Sequence, residues 1–191
     1  MRGRQTCDDP PVALTATVYT ADIDLSDHDR GIYDALALRV ARHPSESDEY
    51  LVTRVLAYAL EYTDGLEFSG GGLSSPEEPA LAVRDLTGTL QAWIDIGWPD
   101  ATRLHKAAKA SPRVAVYPHR DAGQWLKRLE GERIHRASNI HVRAIDTSVI
   151  GALAARLDRR LALALAVSEG ELFVSIGADT FSGRIETIAL R

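Results

Sequence analysis

The residues best equipped for chemistry gather in the middle of the chain. They are Asp95, within Trp93-Ile-Asp-Ile-Gly97, the acids Glu77 and Glu78 before it, and Arg103 and Lys106 after it. Residues 89–97 alternate as a strand does: Leu90, Ala92, Ile94 and Ile96 make an apolar face, and Gln91, Trp93, Asp95 and Gly97 make the other. Residues 81–84 and 89–97 read as a hairpin turning through Asp85-Leu-Thr-Gly88, with Gly88 suited to the left-handed position of the loop. If Asp85 pairs with Thr89, Asp95 falls opposite Pro79, and its nearest acids are Glu77 and Glu78. Asp85 itself sits at the turn. At about 3.3 Å per residue it is roughly 20 Å from Asp95, too far to share a ligand.

A helix predicted from Ser45 to about Tyr62 brings a third acid. Leu51, Val55, Tyr58, Ala59 and Tyr62 form one apolar stripe, with Glu49 at its edge and Glu46 opposite, facing solvent. Glu49 is thus placed to join Asp95 and Glu77 or Glu78. Like charges held together oppose folding unless a cation offsets them. An all-oxygen set of this kind suits magnesium or manganese. A divalent metal with a nearby cation is equipment for phosphodiester hydrolysis, and Arg103 and Lys106, i and i+3 on the next helix, supply the cation. The same residues have ordinary roles to weigh against this: Glu77 and Glu78 solvated beside a polar loop, Glu49 paired with Arg54, and Arg103, Lys106 and Lys109 a wet helix surface.

The elements that position these groups are punctuated clearly. After a polar leader (residues 1–10), strands are predicted at 12–23 and 32–40, paired antiparallel across a polar turn. His43-Pro-Ser-Glu46 opens the helix, with Ser45 as its N-cap. Ser69-Gly-Gly-Gly-Leu-Ser-Ser-Pro76 is a glycine-rich loop, and Pro99-Asp100 opens a second helix running to Ala110 with Asp100 as N-cap. Strand 114–117, helix 121–129, strand 140–145, helix 147–157 and strands 161–167, 171–176 and 184–190 follow. The fold class is α/β: a mixed, strongly bent, largely antiparallel sheet flanked by helices, in one domain over residues 11–191.

Bulk properties narrow the function classes. A net charge of −5 argues against a protein that coats nucleic acid indiscriminately, while leaving room for a local basic groove. Cys7 is the only cysteine, so a disulfide framework or cysteine zinc site within the chain is excluded. The histidines have no zinc-ligand spacing. The leader lacks a signal-peptide core, and the aliphatic run Leu161–Val167 is too short to span a bilayer, so the expectation is a soluble, cytoplasmic protein with no membrane partner.

Several segments carry a family resemblance: Ala41-Arg-His-Pro-Ser-Glu46 with Glu49 and Arg54, Glu78-Pro-Ala-Leu81, and above all Trp93-Ile-Asp-Ile-Gly-Trp-Pro-Asp100 with Arg103 and Lys106-Ala107. Ala16-Thr-Val-Tyr19 and Ser168-Glu-Gly170 fit as well. Together they resemble the YaeQ family, over about residues 12–190. That family in turn resembles a variant of the PD-(D/E)XK nucleases, which implies a restriction-endonuclease-like core. Carried over, the resemblance implies Glu49, Glu78 and Asp95 as ligands for Mg2+ or Mn2+, with Asp95, Glu78 and Lys106 catalytic. Two positions depart from the pattern: Pro79 follows its acid, and Gly97 stands where the superfamily has a lysine. Lys106 or Arg103 could fill that space from the next helix and bind phosphate. The expected activity is metal-dependent cleavage of nucleic acid; the alternative is a catalytically silent module that binds nucleic acid or a protein.

Overall fold

The structure, a computed structural model, describes residues 16–69 and 77–190. The leader and most of the glycine-rich loop lie outside the described residues. In chain order the elements are β1 (Thr17–Asp27), β2 (Ile32–Arg42), α1 (Asp48–Leu60), β3 (Leu66–Phe68), β4 (Leu81–Arg84), β5 (Leu90–Ile96), α2 (Ala101–Ala110), β6 (Arg113–Tyr117), α3 (Gly123–Leu129), β7 (Ile140–Ile145), α4 (Thr147–Ala154), β8 (Arg160–Ser168), β9 (Glu171–Ile176) and β10 (Asp179–Ala189). The ten strands form one sheet in the order β2-β1-β8-β9-β10-β7-β6-β5-β4-β3, nearly closed and barrel-like. β1 with β8, β5 with β6 and β6 with β7 are parallel; the other pairings are antiparallel.

The bend of the sheet follows from what it wraps. Residues from both halves, among them Ile23, Leu25, Leu163 and Val174 on one side and Ile94, Ile96 and Tyr117 on the other, share a core with α1 and α4. Consequently α1 is buried on nearly every side, including Thr53 and Arg54. A helix hydrophobic only along one stripe would leave those two in water; here both find partners inside, although Arg54 Nε has none among the described residues. Thr53 Oγ1 donates to the Glu49 carbonyl at 2.7 Å, and an Arg54 Nη donates to the Ala41 carbonyl at 2.7 Å. At the other end Arg30 donates to the carbonyls of Ala59 (3.1 Å) and Tyr62 (3.2 Å), held in place by the buried Asp27 at 2.6 Å.

Two environments explain the two strand patterns. β5, β6 and β7 carry α1 on one face and α2 and α3 on the other, where Trp93, Leu104, Ala107, Val116, Trp125 and Val142 make a second core. Hence Val114 to Tyr117 reads as a continuous buried run. No helix among the described residues covers the outer face of β1 and β2, and from Ala21 to Asp27 and from Leu36 to Val40 they alternate, with Ile23 buried and Asp22 and Asp24 exposed. No helix among the described residues is long and apolar enough to cross a membrane.

Three local expectations are corrected. The N-cap of α1 is Ser47, whose side chain accepts the Tyr50 N–H at 3.2 Å, so the helix starts two residues later than an N-cap at Ser45 implied. Glu46 therefore precedes the helix, and it turns inward, 3% exposed, to meet Arg54 at 3.0 Å. Burial raises the Glu46 carboxyl above its ordinary range despite Arg54 opposing the shift. Finally, Leu66–Phe68 adds a strand, β3, to those predicted, because three residues are too few to show a period.

Candidate functional site

Asp95 lies near the carboxyl end of β5 on the face covered by α2, 2% exposed. The hairpin begins as its sequence implies, with the Asp85 N–H donating to the Thr89 carbonyl at 3.0 Å. A bulge between Val83 and Arg84 then slips the register by one, so that Leu81 meets Ile94 and Asp95 falls opposite Ala80 rather than Pro79. Asp85 stays at the turn, accepting from Thr87, Thr89 and Gln91. The chain leaves β5 through Gly97 and enters α2 at once, where Asp100 caps the helix by accepting the Arg103 N–H at 2.7 Å. That short connection carries the Arg103 side chain back over β5.

Arg103 closes on Asp95 as a fork: Nε to Oδ2 at 2.7 Å and Nη2 to Oδ1 at 2.7 Å. Both carboxylate oxygens are thus bonded to one cation. The Trp93 ring lies 5.6 Å from the guanidinium carbon, and Nη2 also donates to the Glu78 carbonyl at 2.8 Å. The hydrogen bonds to Asp95 hold Arg103 above even its ordinary high range, against the effect of burial. Such a two-pronged, charge-assisted pair is the strongest geometry these groups can adopt.

The remaining predicted residues have other partners. Lys106 forms an ion pair with Glu77 on the surface. Glu78 is exposed, and its backbone carbonyl, as noted, is an acceptor for Arg103. Glu49 lies 3.5 Å from Arg120, and its carboxyl is held low first by its own backbone N–H, then by Ser47 and Arg120. The space beside Gly97 is filled: a Cβ there would sit 3.4 Å from both Tyr50 and His119. Lys106 therefore does not occupy it.

This donor set does not fit the metal that the resemblance implies. Among the described residues no three of His, Cys, Asp and Glu stand close enough to hold an ion, and the strand acid already has a full cationic partner. Glu49, Glu78 and Asp95 are not brought together as a ligand set.

Two groupings escaped sequence reasoning. The first sits where β5 and β6 end, the side on which parallel sheets place ligands. Here Trp98 is 42% exposed, with the His119 ring 5.3 Å behind it and Tyr50 5.5 Å behind His119. Trp125, itself buried, donates Nε1–H to the Pro99 carbonyl at 2.8 Å and so fixes the turn that presents Trp98. His119 Nδ1 is buried without a hydrogen-bond partner among the described residues, and burial, with Arg120 adding to it, lowers the imidazole below its ordinary value. The available signal was a tryptophan in the short link between the end of β5 and the Pro99-Asp100 start of α2. The second grouping is interior: the Tyr117 hydroxyl donates to Glu61 at 2.5 Å and accepts from Arg143 at 2.8 Å, while Arg113 meets Glu61 at 2.6 Å. It ties the end of α1 to β6 and β7, and nothing local in the sequence announces it.

The YaeQ protein family model matches residues 12–184. The uncharacterized protein YaeQ of Escherichia coli strain K12 is 32% identical over 167 residues, 86% of this chain and 91% of that protein, and its counterpart in Salmonella typhi is 31% identical over 166 residues. The crystal structure of YaeQ from Xanthomonas axonopodis pv. citri superposes with a TM-score of 0.83 at 35% identity, covering 93% of this chain and all of that one. YaeQ from Pseudomonas syringae superposes with a TM-score of 0.80 at 29% identity, covering 91% and 96%. The chain belongs to the YaeQ family.

Proposed function

We propose that this chain is a metal-independent binding module for nucleic acid that uses the basic surface of α2. The observation that carries the reading is the closed Asp95–Arg103 pair. It occupies the strand acid that a metal would need and locks α2 to the sheet by a rigid contact. Outward, α2 presents Lys106 and Lys109 and contains no acidic residue in Ala101–Ala110. In a chain of net charge −5 that is a local reversal of sign, of the kind that phosphate contacts need. The ion pair of Lys106 with Glu77 is exposed and so worth little against a phosphate.

The rival reading is a metal-dependent nuclease with a restriction-endonuclease-like core, in which Asp95 and Glu78 bind Mg2+ or Mn2+ with Glu49, and Lys106 and Arg103 act on the phosphate. It requires Arg103 to swing away from Asp95, leaving a buried charge to the metal. Binding of a labelled single strand, followed across salt concentrations, separates the two. The module reading expects affinity without divalent metal, falling with salt. It also expects the Lys106→Glu, Lys109→Glu variant to lose affinity and about 0.7 unit of salt slope per contact. Metal-dependent cleavage of the strand, lost in Lys106→Ala, would support the rival instead.

A further inference from the structure

The Trp98 surface is not explained by the α2 contact. An indole left 42% exposed would ordinarily be mobile, yet this one is braced from behind by His119 and from its own turn by the Trp125–Pro99 hydrogen bond. Its free face borders two adjoining hollows of about 400 and 220 Å³, both lined by Trp98, Trp125 and Arg128. Arg120 lines the smaller one. Arg128 has no ion-pair partner among the described residues; its Nε–H makes one long contact, 3.4 Å, to the Gln124 carbonyl within its own helix. Arg120 pairs, among the described residues, with Glu49 alone, at 3.5 Å.

Acids also line the hollows, and two are already engaged: Asp100 caps α2, and Asp121 accepts the Gly123 N–H at 3.2 Å. Glu132, on the rim of the larger hollow, leaves that side less suited to an anion and points the anion toward Arg120 and Arg128. A rigid exposed indole offers a flat apolar face for stacking, and two guanidinium groups beside it offer planar, bidentate donors for a phosphate.

We propose that Trp98, Arg120 and Arg128 form a binding site for a nucleotide unit, the base stacked on Trp98 and the phosphate held by the two arginines. The inference deepens the nucleic-acid reading above, and the unit has two sources, a free nucleotide or one residue of a single strand. Trp98 is the exposed one of the chain's three tryptophans, since Trp93 and Trp125 are 2% and 3% exposed, and the difference in emission between wild type and Trp98→Ala isolates stacking on its ring.

The experiment titrates the full chain, its Trp98→Ala variant, its Arg128→Ala variant and its Lys106→Glu, Lys109→Glu variant with adenosine monophosphate and with a short single-stranded oligonucleotide. Fluorescence and anisotropy are recorded together. The proposal expects quenching in wild type, absent in Trp98→Ala, with affinity lowered about five- to hundredfold by loss of one stacked base. Arg128→Ala keeps the quench and weakens binding. Quenching by the monophosphate alone supports a free-nucleotide site and sinks the nucleic-acid reading; quenching by the oligonucleotide alone supports a strand. Oligonucleotide binding unchanged in Trp98→Ala but weakened in the α2 variant overturns the inference and leaves the module reading standing. Absence of quenching and binding with both probes overturns both.

Discussion

Replacing Asp95 by asparagine distinguishes a structural acid from a metal ligand with almost no change of shape. In the fold described here the change removes a buried negative charge that faces a guanidinium through two 2.7 Å hydrogen bonds. Asparagine retains one acceptor and turns an N–H toward an Arg103 N–H, so one bond is lost and the other keeps only the charge of the guanidinium. Charge-assisted bonds contribute about 1.5–3 kcal/mol each, and breaking a fully buried pair costs about 3–5 kcal/mol. Because the Arg103 side chain is 26% exposed and can be partly rehydrated, a loss of about 3 kcal/mol is expected. For a chain of this length that corresponds to roughly 6–12 °C in melting temperature. Urea denaturation of Asp95→Asn, Arg103→Gln and the double variant in metal-free buffer gives the coupling energy directly. The double variant should be markedly more stable than the sum of the single losses implies. If Asp95→Asn melts at or above wild type, the acid is relieved of repulsion rather than deprived of a partner, and the argument fails.

Two further perturbations probe the surroundings of that pair. Gly97 has φ of +94° and would place a Cβ 3.4 Å from Tyr50 and His119, so Gly97→Ala should cost about 1–3 kcal/mol by denaturant unfolding; a variant as stable as wild type would show the backbone to be relaxed there. His119 is held neutral by burial, which lowers its proton affinity in the fold. The unfolded chain therefore binds the extra proton, and the stability associated with neutral His119 is present above the ordinary imidazole value of about 6.5 and is lost as pH falls from there toward the lowered folded value. The stability gap between wild type and His119→Asn should accordingly shrink as pH is lowered through that window. A gap that widens on acidification would contradict the assignment.

Local punctuation was well written in the sequence, because it depends on neighbours in the chain. Asp100 caps α2 as read, β9 spans Glu171–Ile176 as read, and the alternation of Ile94 and Ile96 against Trp93 and Asp95 divides two cores. What escaped depends on how the sheet curls. Glu46 could be placed in solvent only on the assumption that it belongs to α1 and to an outer face of it; the helix starts after Glu46, and the closing sheet buries α1 on nearly every side. The one-residue slip at the bulge by Arg84 cannot be read from alternation in either strand alone. The same limit governed the site. Asp95 meets Arg103, and Glu77 meets Lys106, but the spacing of these residues in the sequence suits a ligand set and two ion pairs equally well. Only the reach of Arg103 back over β5 decides between them.

The most direct test of the central claim is a melting curve of the wild-type chain against increasing Mn2+ and Mg2+. A ligand that binds only the folded state at a hundredfold excess over its dissociation constant adds about 2.7 kcal/mol, an increase of several degrees at this chain length. With Asp95 closed by Arg103, the midpoint should stay where it is at millimolar metal. A midpoint that climbs with metal concentration in wild type and stays flat in Asp95→Asn would contradict the account and assign Asp95 to a metal.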